Sequence, residues 1–554
     1  MTRRSPALAL LFTVATSLAI LPVRGQQPTR PAKLLDVLRI SAEGDASAAI
    51  VPTRHGTILD IQCDVVIIGG GFGGVSAALA ATSHTQLHVC MTEPTLWVGG
   101  QATSQGVSAF DDNQYIDSTG GAATYLDLSY RIRLYYAQYR RDTSLTPDQA
   151  AHGPIKNPGG CWVGRLCFEP APAHDILMQM LAPALQSGRL RLWTHTAPGA
   201  VDRSGRTLRS VLVYDFAHNA WLRLRGKYFI EASERGDVLP LSGLPFRIGA
   251  EAQSETHERN APTVAQPRAS QSFTYPFILQ HSEAPAPSSD PQPPAYAANL
   301  PHYTLTVDYG AGKLLTYGFY EARAGLPGSF WVYRRSVNAA VFKPEAFPSD
   351  RAMINWSAND HCDANLLSDD PLLQAHALQD AKRASLGFAW WMRHEVPRDD
   401  KKIDENTGKL ANGYPDLRVL PAAMGSPDGL SQFPYIRESR RIIPVRTIVE
   451  EDLAVDFQSG ARAALYPDTV GIGWYPIDIH SCDRQDFVSA SKPYEIPLGA
   501  LIARDADNLL AVGKSIGTPT GSGVSASVVV TATDSGTGSN LQTKSTSAQW
   551  IGFS

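Results

Sequence analysis

Cysteine is scarce in this chain: six residues in 554, at positions 63, 90, 161, 167, 362 and 482. There is no C-x-x-C pair and no His/Cys cluster of zinc-finger spacing, which argues against structural zinc, and no metal is expected. Cys161 and Cys167 are close enough in sequence to bridge in an exported protein, or to stay as buried thiols. Charge excess is lacking as well. The 49 basic and 53 acidic residues leave a net −4, so nothing in the electrostatics calls for nucleic acid or an anionic membrane surface. Internal repeats are missing. Apolar runs are short after the first, Ala7 to Leu21, which follows Arg3 and Arg4 and precedes small residues at Val23 and Gly25. Basic head, short apolar run and small residues make a secretory signal, residues 1–25, with cleavage expected after Gly25 and a secreted or periplasmic product. A membrane anchor is the alternative, but the run falls short of the ~20 residues that span a bilayer. The Arg3-Arg4 pair suits twin-arginine export, although Pro6 and Ala7 stand where bulkier apolar residues usually follow. No stable membrane insertion is expected once the signal is removed.

What is present is a mature chain too long for one ordinary core, so two or more domains are expected. The 43% hydrophobic and 18% charged residues of the full 554-residue sequence are those of a globular protein. The most informative stretch is "DVVIIGGGFGGVSAALAAT". Asp64 to Ile68 is a β-branched run of strand length. It leads directly into Gly69, Gly70, Gly71, Phe72, Gly73 and Gly74, then a small-residue helix. Gly69, Gly71 and Gly74 satisfy G-x-G-x-x-G: a tight turn, a close backbone approach to a diphosphate, and close packing of helix on strand. The helix N-terminus offers free N–H groups to the anion. A second strand, Leu87 to Glu93, ends in an acid 22 residues after Gly71, the spacing at which a carboxylate accepts hydrogen bonds from the adenosine ribose.

Directly after Glu93 comes a second glycine pair, Gly99 and Gly100, followed by Gln101 and Ser104, where a nicotinamide domain would run into its next helix. Here the chain resembles the FAD-dependent oxidoreductase family, whose flavin domain is similar to that of the fumarate reductase and glutathione reductase flavoproteins. "CWVGRLCFEP", "ASERGDVLPLSGLPFRIGAEAQSE", "INWSAND", "YIRESRRI", "GWYPIDIH" and "IPLGALIARDADNLLAVGKSIG" look like further blocks of that family, and together span roughly Asp64 to Gly517. The resemblance implies FAD as cofactor. It also implies a strand at Lys227 to Glu231 delivering Ser233, Glu234, Gly236 and Asp237 to the cofactor's edge, and a last strand ending at Gly513 beside the flavin. The fold expected is α/β, a Rossmann-like FAD domain with a parallel sheet and a β-meander, plus a mixed α+β substrate domain.

The FAD domain is expected in three pieces, 60–114, 177–253 and 494–540, with the substrate domain at 115–176 and 254–493. Residues 26–59 form a leader without strong pattern, and 541–554 a tail. "LRSVLVYDFAHNAWLRLRGKYFIEAS" reads as a hairpin turning at "AHNA" and then a strand. The clearest amphipathic helix follows Asp369 and Asp370, and Trp390 and Trp391 within it read as core. Ala284 to Pro294 reads as a flexible surface loop.

A flavin does its own redox chemistry, so the protein must supply substrate binding and a proton path. Arg437, Arg440 and Arg441 crowd one short stretch and suit a carboxylate. They suit an ion-pair network with Glu438, Glu450 and Asp452 equally. His480 is either the acid–base group or a satisfied structural histidine. Arg165, Asn359 and Asp360 are further polar candidates whose alternative role is holding loops. After Gly517 the sequence turns Ser/Thr/Gly-rich with a β-branched run, where the family would continue as a helix facing the flavin. The function expected is hydride transfer between FAD and a small acidic or polyhydroxylated molecule, with an unknown electron acceptor. The alternatives are an amine or amino-acid oxidase, a non-catalytic flavin-binding protein with a defective C-terminus, and a lyase acting without redox chemistry.

Overall fold

The computed structural model describes residues 29–519 except 84, 111–115, 118–121, 284–288, 309–313, 404–407 and 483–486, with the backbone of 526–529 and 549–552. The signal segment 1–25 lies outside the described residues, as do most of the tail and the first half of the loop at 284–294.

The nucleotide unit is built from β1 (Leu59–Gln62), β2 (Val65–Ile68), α1 (Phe72–Ser83), β3 (Val89–Thr92), β4 (Leu190–Trp193), β5 (Thr196–Ser204), β6 (Thr207–Asp215), β7 (Ala220–Arg225), β8 (Tyr228–Glu231) and β9 (Leu509–Ala511). Five of these strands form a sheet in the order β9-β8-β2-β3-β4, every neighbouring pair parallel. All four residues of β2 and of β3 are buried. Each such Val, Ile or Met contributes roughly 1.5–3 kcal/mol on leaving water. That is why these strands read as unbroken apolar runs rather than alternating ones. The meander β5-β6-β7 is antiparallel and gains β1 as a parallel edge. Its hairpin turns where the sequence placed the turn, with Asn219 at φ 51°. The strands of this unit come from three separated parts of the chain.

The second unit is mixed. Its antiparallel sheet runs Arg335–Val337, Arg351–Ile354, Phe277–His281, Leu417–Val419, and the 24-residue helix Pro371–His394 packs beside it. Asp370 caps that helix by accepting from Leu372 N–H at 2.9 Å, and Trp390 and Trp391 are buried in the core. Residues 29–59, patternless in sequence, fold onto the same core through Leu35, Val37 and Ile40. The long helix pins them, Arg383 Nε donating to Ala42 O at 2.9 Å. The described half of the 284–294 loop is also tied down. Asp290 takes Arg393 at 2.9 Å and His394 at 2.7 Å.

All six cysteines are paired: Cys63 with Cys90, Cys161 with Cys167, Cys362 with Cys482. The open choice for Cys161 and Cys167 therefore resolves as a bridge. The first bridge joins the approach to β2 with β3 inside the nucleotide sheet, and the third joins segments 120 residues apart.

Candidate functional site

The register of the parallel sheet sets the site. Ile68, Thr92, Glu231 and Ala511 pair across β2, β3, β8 and β9, so the carboxyl ends of four strands stop at one level, the place where open α/β sheets bind ligands. Four loops leave from there. In the first, Gly69 has φ 108°, a conformation that favours glycine. A Cβ on Gly74 would strike Gly69 O, which is the close helix–strand packing read from the motif. Phe72 and Gly73 open α1 and are buried. In the second loop Gly99 and Gly100 fold back onto the first. Gly99 N–H donates to Gly70 O at 2.8 Å, and a Cβ on Gly100 would lie 2.9 Å from Gly71 Cα. Gln101 Oε1 and Gln105 Nε2 are buried beside this contact without a hydrogen-bond partner, a cost that a polar ligand would relieve. Ser104 is buried, and its carbonyl accepts from Phe433 N–H at 3.0 Å.

Glu93 follows β3 directly and accepts from Gly70 N–H at 3.0 Å and from Thr95 Oγ1 at 2.6 Å. Burial pushes its carboxyl up to about 7, against the pull of the Thr95 and Gly70 hydrogen bonds and with a contribution from Glu234. In the third loop Glu234 pairs with Lys514 at 2.6 Å. Gly236 has φ 65° and backs onto Arg440. Asp237 N–H donates to Ser233 Oγ at 2.8 Å. In the fourth, the last strand stops at Ala511 rather than at Gly513, which opens a short turn two residues on, with open space around it. The cradle fits an FAD-type dinucleotide: a glycine turn a diphosphate can approach, a helix N-terminus, a strand-terminal acid for ribose, and orphaned amides in the second loop.

The arginine stretch runs alongside. Phe433 is held by Ser104, and Ser439 Oγ lies 3.1 Å from Ser515 Oγ, so residues 433–439 pass between the second and fourth loops. Arg437 and Arg440 separate here. Arg440 is 2% exposed and is spent on Arg235 O, Leu367 O, Ser368 O and Asp369, with Asp237 at 3.7 Å. Arg441 pairs with Glu438 at 2.6 Å and Glu251 at 2.8 Å. For these two the contacts match the ion-pair alternative, and Arg440 finds its partners within the protein. Glu450 and Asp452, expected as partners, are engaged instead by Asn260 and by Val449 N–H.

Arg437 donates to Ser272 O and Oγ, both at 3.0 Å, and to Asp360 at 3.1 Å, and it stacks 5.1 Å from the Tyr435 ring. His480 Nε2 lies 3.4 Å from Asp478 Oδ2, and its backbone N–H donates to Gln271 Oε1 at 3.2 Å. One strand segment organises both: Phe273 bridges His361 and Gln271 bridges Ser481, while Cys362–Cys482 locks the two outer loops together. Burial would raise the Asp478 carboxyl. The hydrogen bond and charge of His480, with Arg437 and Arg334, outweigh it and hold the group below the usual carboxylate range. Arg437 and His480 are therefore brought together, and Asp360 with them. Arg165 is not. It pairs with Asp117 at 3.1 Å and its side chain is 40% exposed. Asn359 closes its own turn through Trp356 N–H and reaches Ser385.

Sequence reasoning passed over Lys514, Asp478 and Arg334. Asp478 lay inside the quoted "PIDIH" two residues before His480, a spacing that puts both on one face of a strand. Arg334 carried no signal.

The chain matches the FAD dependent oxidoreductase family over residues 64–536, past Gly517, where the resemblance was expected to break off. No curated protein matches it. Solved structures similar to it include L-proline dehydrogenase from P. horikoshii (14% identity, 32% of this chain and 23% of that chain, TM-score 0.16). Others are glycerol-3-phosphate dehydrogenase from Bacillus halodurans complexed with FAD (9%, 46% and 44%, 0.24) and a geranylgeranyl bacteriochlorophyll reductase-like protein from Thermoplasma acidophilum (14%, 41% and 48%, 0.24). The matched region spans less than half the length of each of these three chains. With the glycine cradle, the strand-terminal acid and a family match covering most of the sequence, this chain belongs to the FAD dependent oxidoreductase family.

Proposed function

We propose that this FAD-dependent oxidoreductase is exported and acts on a small acidic or polyhydroxylated molecule bound beside residues 433–439. The observation that carries the reading is the convergence of Arg437, Asp478 and His480 next to the loops of the cradle. Bound FAD supplies the hydride acceptor or donor. Arg437, charged at all working pH, attracts an anionic substrate group and fixes its orientation. Asp478, ionised, aligns the His480 ring, which takes the proton released when a hydroxyl or amine is oxidised and returns it in the reverse direction. Buried Tyr435 supports the Arg437 guanidinium. An unidentified electron acceptor completes the turnover. Three disulfides in the described residues support an oxidising compartment. Among those residues no helix is long and apolar enough to cross a membrane.

Asp360 and Asp478 beside the arginine also suit an amino acid, whose ammonium and carboxylate need both signs, so an amino-acid oxidase is the second reading. Anaerobic titration of the yellow holoprotein with hydroxy acids, sugar acids and amino acids tests the assignment, with peroxide measured on readmitting air. Bleaching by acids without peroxide supports a dehydrogenase, and peroxide with amino acids supports the oxidase. Bleaching by neutral molecules only would overturn the anion reading.

A further inference from the structure

Glu234 projects into the contact between the two glycine loops. Its Oε1 lies where a Cβ on Gly71 would be 2.5 Å away and one on Gly100 2.8 Å away. That is the approach to the N-terminus of the 12-residue helix α1, whose first N–H groups lie outside the helical ladder and attract anions. Its Oε2 accepts from Lys514 Nζ at 2.6 Å. Lys514 reaches this point from the residue after Gly513 and is 9% exposed. Its other neighbours are Gln105 Oε1 at 3.5 Å and the Tyr435 ring at 5.8 Å. One carboxylate therefore spans the glycine turn and a buried ammonium. The surroundings are acidic: Glu93 and Glu231 are buried at the strand ends, and Asp237 lies in the same loop. Arg235 is occupied by Gln374 at 2.7 Å and Asp237 at 3.3 Å. A diphosphate entering this place meets several carboxylates, and Lys514 is the buried cation set against the glycine turn.

We propose that Lys514 is the counter-ion of the FAD diphosphate, and that Glu234 is an internal anion which competes with the diphosphate for the glycine turn and for that ammonium. Binding exchanges one anion for another on Lys514, and the Glu234 side chain turns away from Gly71. The exchange keeps the buried lysine paired in both states, which avoids the large cost of an unpaired buried charge. It rests on FAD as the cofactor and is independent of the substrate assigned to Arg437 and His480.

The test uses the dissociation constants of FAD and of ADP, read by quenching of flavin fluorescence and by calorimetry on protein stripped of flavin. Lys514→Met is expected to weaken both by about tenfold or more, the size of a lost charge-assisted hydrogen bond. Lys514→Arg should restore most of the loss. Glu234→Gln should tighten both, because the competing charge is gone while the shape is kept. A purely structural ion pair would make both single variants weaker binders, since each breaks the same contact. Glu234→Gln that binds FAD more weakly than the parent therefore overturns the proposal. So does Lys514→Met that binds FAD unchanged. ADP carries the diphosphate without the flavin, so shifts seen with FAD and not with ADP would put Lys514 at the flavin end and overturn it as well. Should Lys514→Met fail to fold, Glu234→Gln with the two ligands decides alone, since only competition at the diphosphate tightens both.

Discussion

The glycine cradle and the arginine cluster meet along residues 433–439, and they handle charge in opposite ways. The cradle is acidic in its side chains and leaves attraction of an anion to backbone N–H groups, a helix end and one lysine. Its acids sit high: burial pushes Glu93 up to about 7 and Glu231 up to about 8. The arginine cluster carries its charge on side chains, and His480 with the neighbouring arginines holds Asp478 low despite burial. A site served by backbone groups depends on where the chain turns. A site served by side chains depends on which distant segments meet. The first tolerates almost no added volume and the second almost no change of charge.

Added volume gives the largest expected effect. Gly74→Val drives its side chain into Gly69 O and should abolish FAD binding, a loss above about 100-fold, with a melting temperature lower by several degrees. Titration with FAD and a thermal scan check it. The two arginines sharpen the comparison next. Arg437→Met should keep the flavin while kcat/KM falls by about 100-fold on an acidic substrate, because a charged partner of the substrate is gone, and it should lower the melting temperature as well, since buried Asp360 loses its cation. Arg440→Met should spare kcat/KM and cost stability alone, roughly 3 kcal/mol, because the buried guanidinium serves Arg235 O and Leu367 O and lies beside Asp237. Equal effects of the two on turnover would erase the distinction drawn between them.

Removing the clamp comes third. Cys362→Ser with Cys482→Ser opens the loop of 120 residues and should cost about 2–4 kcal/mol. KM should rise, as Asp360 and His480 lose their common anchor, with FAD affinity unchanged. A smaller effect is on pH dependence. Glu93 and Glu231 ionise at higher pH in the folded chain than their ordinary value of 4.5. Between that value and about 8 the folded state therefore binds more protons than the unfolded state, and stability falls as pH rises through this window and then levels off. Flavin-free protein should melt several degrees lower at pH 8.5 than at pH 5.5, and Glu231→Gln should flatten the slope. The smallest effect belongs to Arg165, whose partly exposed pair with Asp117 should be worth under about 1 kcal/mol, so Arg165→Ala should leave turnover and melting nearly unchanged.

The unequal legibility of the two regions has the same physical root. The cradle is local: strand, turn, helix and acid fall within Asp64 to Glu93, and backbone geometry demands the glycines there, so Gly69, Gly71, Gly74 and Glu93 could be read in order, with Gly99 and Gly100 close behind. The parallel sheet and meander followed from unbroken and alternating apolar runs. The arginine cluster is not local. Arg437 meets Asp360 and Asp478 only because one strand segment, 271–274, collects both outer loops, and no spacing in the chain announces that. Arg437 and Arg440 are three residues apart with identical chemistry, and only their surroundings separate the role proposed for Arg437 from the ion pairs of Arg440. Lys514 was hidden for another reason: it lies in the quoted block beside Gly513, but its meaning comes from Glu234, 280 residues away. The three disulfides were equally unreadable as a set, since six cysteines at wide spacing allow many pairings.

The most direct test is the flavin absorbance of holoprotein mixed anaerobically with graded acidic substrates, parent against Arg437→Met at equal flavin content. The expected result is bleaching of the parent at low substrate, and bleaching of Arg437→Met only at concentrations about 100-fold higher, with identical spectra before mixing. Bleaching of both proteins at the same substrate concentration would contradict a substrate anion held by Arg437.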